Sequence, residues 1–356
     1  MKIAFLNIYS GVVDRGAETF VEEVATRLAD TNDVCVFQAG DNGESKKYRV
    51  VKINVDFNWS KKSGEGSFAS RLFIDYWSRL VATFTVKTIP WIMKERFDVI
   101  VPVNGGWQVA IVRIVTWLYG GKLVVSGQSG MGWDDRNNLW GFPDTFVALS
   151  TKAKLWAKKA NPFIKVKYIP NGVDINKFTQ GGEKIKIKLK KPIILCVGAL
   201  TKTKRIDLTI KAVARLKDTS LLVVGDGDLW EEIVKLGKES LGARFELMKV
   251  PFKCMPEVYR VADVFTLASQ PYYSFEIVLT EAMASGLPVV ADDDPIRKEI
   301  IGEAGILVNP IDINKYTKAL KEALNKNWEN IPRFQAEKFS WDEISQTYEK
   351  LFKSLI

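Results

Sequence analysis

Imidazole carries much of the proton transfer and metal ligation of proteins near neutral pH, and this chain of 356 residues has no histidine. That excludes a Ser-His-Asp or Cys-His nucleophile and a His-liganded zinc. Any proton must move through carboxylates, Lys, Tyr, the substrate or water. The three cysteines, Cys35, Cys196 and Cys254, lie far apart and form no CxxC pair. They read as reduced core residues of a cytosolic protein, not as a disulfide framework. The remaining chemistry-bearing candidates in the first half are Asp134 and Asp135, which follow a strand end. They are placed to orient or deprotonate a bound hydroxyl, or to cap the turn before Asn137. Gly16 stands where a helix begins, and Asn104, Gly105 and Gly106 follow a strand ending at Val103. Glycines there either let the backbone approach a ligand closely or simply turn the chain.

Charge is the second chemical signal. Lys+Arg number 51 against 42 Asp+Glu, a net of +9. Residues 1–168 hold 23 basic and 16 acidic side chains (net +7), and residues 169–356 hold 28 and 26 (net +2). In the first half, basic residues interleave with aromatics (Arg71, Phe73, Trp77, Arg79, Trp91, Lys94, Arg96), and 152–167 carries six lysines and no acid. An anionic membrane surface, an acidic or phosphate-bearing substrate, and a solvated helix face all fit. Nucleic acid is not expected, since no nucleic-acid motif accompanies the charge. The N-terminus lacks the long apolar region and cleavage site of a signal peptide, and Trp107–Tyr119 is shorter than the ~20 residues a span needs. A soluble, cytoplasmic chain is expected, with a peripheral place on the cytosolic membrane face as an option.

These residues must be held by alternating strands and helices. Strands are expected at Lys2–Ile8, Val34–Gln38, Val99–Val103, Lys122–Ser126 and Thr145–Leu149, with a helix at about Ala17–Ala29. Ser67–Arg96 reads as one long or two short amphipathic helices broken at Pro90. The cycle restarts with strands at Pro192–Val197, Leu221–Val224, Phe245–Lys249, Val264–Leu267 and Pro288–Ala291, separated by helices near 206–216, 229–238, 256–261 and 276–285. Two such sets imply two parallel-sheet domains whose ligands sit beyond the carboxyl ends of the strands, with the cleft between them as the natural active site. The lysine-rich stretch Thr179–Lys191 reads as the linker.

Four segments carry more information: IPNGVDINKF at 169–178, VGALTKTKRIDLTIKA at 197–212, VVGDGDLWEEI at 223–233 and SFEIVLTEAMASGLPVVA at 274–291. In order and spacing they resemble the C-terminal half of glycosyltransferase family 4, the group 1 type of retaining enzymes. VYRVADVFTLAS, GEAGILVNP and FSWDEISQTY extend the likeness, the last resembling a final helix that returns to the first domain. Across 1–168 the resemblance is looser and rests on Arg15–Glu18 and residues 124–135. It implies an α/β GT-B fold, two Rossmann-like domains facing each other across a deep cleft. The first would cover 1–178 plus 340–356 and the second 179–339. It also implies a nucleotide-sugar donor, a hydroxyl acceptor on a lipid or glycan, and no cofactor or metal. Departing phosphate would then help take the acceptor proton, a route that tolerates the missing histidine.

By the same resemblance, Lys204 contacts the donor diphosphate and Glu281 binds the ribose hydroxyls. Gly198, Ala199, Arg205, Gly225, Val250, Tyr273, Ser274, Phe275, Glu276, Ile277 and Val278 line the donor side with Gly16. Asn104, Gly105, Gln128, Asp134 and Asp135 fall on the acceptor or sugar side. The chain also departs from the pattern. The first glutamate of the family's paired motif falls on Tyr273, a frequent phosphate-loop arginine is Ala199, a frequent first-domain histidine is Gln128, and the glycine after the phenylalanine is Glu276. An acid in a first helical turn suits the helix dipole, yet it also brings negative charge to where phosphate should bind. A retaining transferase is the main expectation, moving sugar from a UDP- or GDP-linked donor. The alternative is an impaired GT-B scaffold that binds a sugar nucleotide or a partner without transfer. An epimerase or phosphorylase of the same fold fits these motifs less well.

Overall fold

The computed structural model describes residues 1–41, 46–61, 68–271 and 275–356. The chain forms two units, Met1–Asn171 with Trp341–Ile356, and Gly172–Ser340.

In the first unit, strands β1 (Lys2–Leu6), β2 (Asp33–Gln38), β3 (Arg49–Lys52), β4 (Val99–Pro102), β5 (Lys122–Ser126), β6 (Thr145–Ala148) and β7 (Val166–Tyr168) make a sheet ordered β3-β2-β1-β4-β5-β6-β7. Every pairing is parallel. Helices cover both faces of such a sheet, which is why its central strands are unbroken apolar runs. Ala4, Leu6, Cys35, Phe37, Ile100, Leu123, Val125 and Phe146 share one buried cluster with Val112 and Val115 from the helix Gln108–Tyr119. The final helix, Trp341–Lys353, belongs to this unit, as the resemblance implied. Phe20 packs on Trp341 and Tyr348 with ring centroids 6.4 and 5.5 Å apart, and the Tyr348 hydroxyl lies 3.0 Å from Ser126 Oγ. Burying an aromatic of this size stabilises by roughly 1.5–3 kcal/mol, enough to hold a short helix in place.

The second unit contains β8 (Ile193–Val197), β9 (Ser220–Val224), β10 (Phe245–Met248), β11 (Val264–Leu267), β12 (Val289–Ala291) and β13 (Gly305–Leu307), ordered β10-β9-β8-β11-β12-β13, again all parallel. In both sheets the winding reverses at one point, beside β1 and β4 in the first and beside β8 and β11 in the second. The crevice for a ligand opens there, beyond the carboxyl ends of the strands. The turns after β8 and β9 approach each other so closely that a Cβ on Gly225 would lie 1.9 Å from the Gly198 carbonyl oxygen. Only glycine fits.

Three expectations about organisation change. The helix Tyr76–Glu95 runs through Pro90 without breaking. Proline removes the partner of the Val86 carbonyl, and Val86 is half exposed, so water can take that carbonyl. The interruption falls earlier, where Phe73 adopts φ 54° and the Asp75 carboxylate caps the new helix by accepting from the N–H groups of Trp77 and Ser78 at 3.0 and 3.3 Å. The unit boundary lies after Asn171, not after 178. Val173 N–H donates to the Phe339 carbonyl, and Arg333 donates to the carbonyls of Ile175 and Phe178, so 172–178 folds with the second unit. Thr179–Lys191 likewise sits inside that unit, where Arg260 donates to the carbonyls of Lys177, Thr179 and Glu183. A lysine-rich stretch without regular structure is therefore a pinned strap. Its composition described its solvent exposure, not a hinge.

Candidate functional site

Beyond β8 the chain makes a 3-10 turn, Lys202–Lys204, then passes through a left-handed residue, Arg205 (φ 48°), into the helix Ile206–Ala214. The turn aims Lys204 at the loop that follows β11. There Lys204 Nζ lies 2.6 Å from Glu276 Oε1. Glu276 also holds Arg297, whose Nη2 is 2.7 Å from Oε2, and Ser269 Oγ lies 2.7 and 2.9 Å from the two carboxylate oxygens. Arg297 is paired in turn with Asp294. Asp294 caps the helix Pro295–Ile301 by accepting from the N–H groups of Ile296 and Arg297 at 2.8 and 3.2 Å. The side chains of Glu276, Arg297 and Asp294 are almost wholly buried, and Lys204 is the most exposed member. Burial opposes ionisation of Glu276, but Lys204 and Arg297 outweigh it and hold the carboxyl below its ordinary range. Breaking one partner out of such a buried network costs about 3–5 kcal/mol, because an uncompensated charge stays behind.

Glu276 has a second unusual property. It precedes the helix Ile277–Ala284 at φ 56°, ψ 76°, a left-handed conformation that glycine adopts freely and other L residues adopt at a cost of about 1–3 kcal/mol. Inside that helix Glu281 is buried and its Oε2 accepts from the Tyr259 hydroxyl at 2.7 Å. Burial first, and then the Glu281 charge, drive the Tyr259 hydroxyl well above its usual pKa, so it remains a donor.

Arg205, expected beside the phosphate, is committed to the fold. Its Nε and Nη2 donate to the carbonyls of Ala268 and Ser269 at 2.6 and 2.7 Å, and it pairs with Asp292. Gly198 and Gly225 form the close turn described above. Ala199 is exposed, Val250 and Val278 are half-buried, and Phe275 and Ile277 are buried. Tyr273 and Ser274 lie outside the described residues. The sequence-based reading missed Arg297, Asp294, Ser269 and Tyr259. The capping pattern Asp294-Pro295-Ile296-Arg297 was visible, but nothing local tied Arg297 to a carboxylate 21 positions earlier.

The first unit's strand ends carry amides instead of ion pairs. Asn104 accepts from Ile8 N–H at 2.9 Å, donates its side-chain amide to Asn7 Oδ1 at 3.1 Å, and gives its backbone N–H to Gln108 Oε1 at 2.8 Å. Asn7 in turn donates to Glu18 Oε1 at 3.1 Å. Glu18 is buried, and burial raises its pKa. Its Oε2 has no hydrogen-bond partner among the described residues. The sequence marked Glu18 only as the end of the Arg15–Glu18 segment and not as a site residue, since a glutamate in a first helical turn is ordinarily a solvated one. Gln128 and Asn171 exchange two amide hydrogen bonds, at 3.1 and 2.9 Å. Asp134 is exposed and packs near Gly105, where a Cβ would sit 3.1 Å from its carboxylate. Asp135 is buried, and burial pushes its carboxyl up to about 8 against hydrogen bonds from Asn138, Ser129 and Gly130. It straps the loop after β5. The structure thus brings Asn104 into one amide network, sets Gln128 in another, and separates Asp135's role from Asp134's. Gly16 opens the helix Gly16–Leu28 in an exposed position.

The surfaces differ too. Among the described residues, the large exposed apolar side chains, apart from Ile311 and Phe334, all lie in the first unit. Ile114, Trp117 and Leu118 share one face of the helix Gln108–Tyr119, with the Arg113 guanidinium 5.1 Å from the Trp117 ring centroid. Leu155 stands exposed among the lysines of the helix Thr151–Ala160, and Phe163 follows it at 80% exposure. Among the described residues no helix is long and apolar enough to cross a membrane.

Comparison with known proteins agrees with this geometry. Residues 191–326 match the family Glycosyl transferases group 1. The phosphatidyl-myo-inositol mannosyltransferase of Mycobacterium tuberculosis is 34% identical over 173 residues, covering 47% of this chain and 45% of that protein. An N-acetylgalactosaminyltransferase of Campylobacter jejuni, named for a diphospho-undecaprenol acceptor, is 30% identical over 191 residues, covering 51% of this chain and 52% of its own. The chain thus spans about half the length of these curated relatives. Among solved structures, sucrose-phosphate synthase of Thermosynechococcus elongatus superposes with a TM-score of 0.80 at 20% identity, over 99% of this chain and 98% of the other. Likenesses at that identity speak for the fold, which is GT-B: two Rossmann-like parallel-sheet domains.

Proposed function

We propose, from the match of residues 191–326 to the family Glycosyl transferases group 1, that the chain is a retaining glycosyltransferase using a nucleoside diphosphate sugar, UDP- or GDP-linked. The observation that carries this reading is the second unit's strand-end site. Lys204 stands at its rim, and a buried carboxylate, Glu281, is presented by a helix that starts at the same point. A leaving diphosphate gains negative charge as the bond to the sugar breaks, and an ammonium aimed there stabilises it more in the transition state than before. Glu281 accepts from the ribose hydroxyls. In the transfer, the C1–O bond to the diphosphate breaks and a C1–O bond to the acceptor oxygen forms on the same face. The acceptor proton passes to the departing phosphate oxygen. No histidine and no metal is needed for that step, so activity should persist in chelator.

The acceptor in this reading is borne by a lipid. The exposed Trp117, Leu118 and Phe163, together with the exposed Lys152, Lys158 and Lys159 of the same unit, suit a peripheral place on an anionic surface. Two of the relatives are named for lipid acceptors. The test is a calorimetric titration with UDP, GDP and ADP and then their sugar conjugates. One nucleotide should bind tightly, more so with one sugar attached. Glu281→Gln, which can still accept from Tyr259, should weaken that binding about tenfold, the loss of one charge-assisted hydrogen bond. Unchanged affinity would remove Glu281 from ribose recognition. No binding by the folded protein would favour the scaffold alternative.

A further inference from the structure

Glu276 is the residue the transferase reading leaves unexplained. Its carboxylate lies on Lys204, the cation assigned to the donor phosphate, at 2.6 Å. Lys204, Arg205 and Arg297 face Glu276, Asp292 and Asp294, and the charges of this linked set cancel. A diphosphate arriving there meets a neutral network, although the transition state needs a positive one. Two independent costs also converge on Glu276, a left-handed backbone that glycine would relieve and a nearly inaccessible carboxylate. The network is not closed as a purely structural one would be, because the buried Arg297 Nε has no hydrogen-bond partner among the described residues.

We propose that Glu276 is an internal counter-anion of the phosphate site. It occupies the place at Lys204 that a donor phosphoryl oxygen takes, so it lowers affinity for the diphosphate and shifts discrimination to the sugar and base. This inference rests on the transferase reading for the identity of the ligand. Its consequence is specific. Bare diphosphates bind weakly to the natural protein, and only a donor whose other parts add enough binding energy displaces the carboxylate from Lys204.

The experiment is calorimetry of the full chain, Glu276→Gln and Glu276→Gly against inorganic pyrophosphate, UDP, GDP and ADP at one ionic strength. Both variants should bind pyrophosphate about tenfold or more tightly than the parent, the effect of removing one like charge within several ångströms of the ligand. Adding Lys204→Ala to Glu276→Gln should cancel the gain. Glutamine keeps the shape and glycine suits the left-handed backbone, so a folding defect in one variant leaves the other to answer. Unchanged or weaker pyrophosphate binding in both folded variants would overturn the proposal and make Glu276 a positioning group for Lys204. If a nucleotide still bound in a Glu281-dependent way, the transferase reading would survive that result. If neither the parent nor the variants bound any diphosphate, both readings would fall.

Discussion

The two units wind their sheets in the same order, the first with one further edge strand, and treat their strand ends in opposite ways. At the strand ends of the first, amides predominate: Asn7, Asn104 and Gln108 in one network that ends on the buried Glu18, and Gln128 with Asn171 in another. At the strand ends of the second, ions predominate: Lys204, Arg205 and Arg297 against Glu276, Asp292 and Asp294. Amides satisfy one another in a dry site at modest cost and present donors and acceptors suited to hydroxyl groups. Ions are expensive to bury and are worth that expense where charge develops in a reaction. The contrast extends to the surface, where among the described residues the large exposed apolar side chains, apart from Ile311 and Phe334, lie in the first unit. One fold thus supplies two chemical environments, which in the proposed transferase would suit an acceptor with hydroxyls and an anionic donor.

The largest expected effect tests the ionic side. Lys204→Ala should reduce turnover by about 10²-fold or more while weakening donor binding far less, since the charge it meets is greatest in the transition state. Steady-state kinetics with separate kcat and KM values would show this. An unaltered kcat would remove Lys204 from the mechanism.

A smaller effect tests the neutral side. Burial holds the Asp135 carboxyl up to about 8, so the folded chain keeps its proton where the unfolded chain, with an ordinary value of about 4, has lost it. Folding is therefore progressively disfavoured as pH rises from about 4 to 8. Asp135→Asn cannot ionise. It should melt with the parent near the acid end and several degrees above it at the alkaline end, at ~2–4 °C per kcal/mol. Melting curves across that range decide the matter, and a gap that stays constant with pH would show that Asp135 is ionised in the fold.

The smallest effect concerns the surface. Binding of the full chain to vesicles containing phosphatidylglycerol should weaken as salt rises, and Trp117→Ser should lower it a further few-fold at low salt. Sedimentation with vesicles reads both. Failure to bind at low ionic strength would reject a lipid surface for the first unit.

Much of this was legible without coordinates. Apolar runs bounded by turn residues located the central strands to within one or two residues, because a strand buried on both faces has little freedom in composition. The short strands Arg49–Lys52, Val166–Tyr168 and Gly305–Leu307 were not visible, since edge strands are half solvated and carry no such run. The exposed face of Gln108–Tyr119 was missed for a related reason, as an apolar helix reads as core whichever way it points. Lys204 and Glu281 were singled out by the family resemblance of the motifs that hold them, and Glu276 as a departure from that pattern.

What the amino-acid order determined by itself is the local grammar: alternating strands and helices, the absence of imidazole chemistry, and the motifs that resemble the C-terminal half of a group 1 glycosyltransferase. What only the tertiary structure decided is who neutralises whom. Glu276 and Arg297 stand 21 positions apart, and Lys204 and Glu276 stand 72 apart. Their pairing, the diversion of Arg205 to carbonyl groups, and the pinning of the 179–191 strap by Arg260 all depend on strands that become neighbours only when the sheet forms. Electrostatic energy depends on distance through space and on burial, and neither quantity is written in the spacing of residues along a chain.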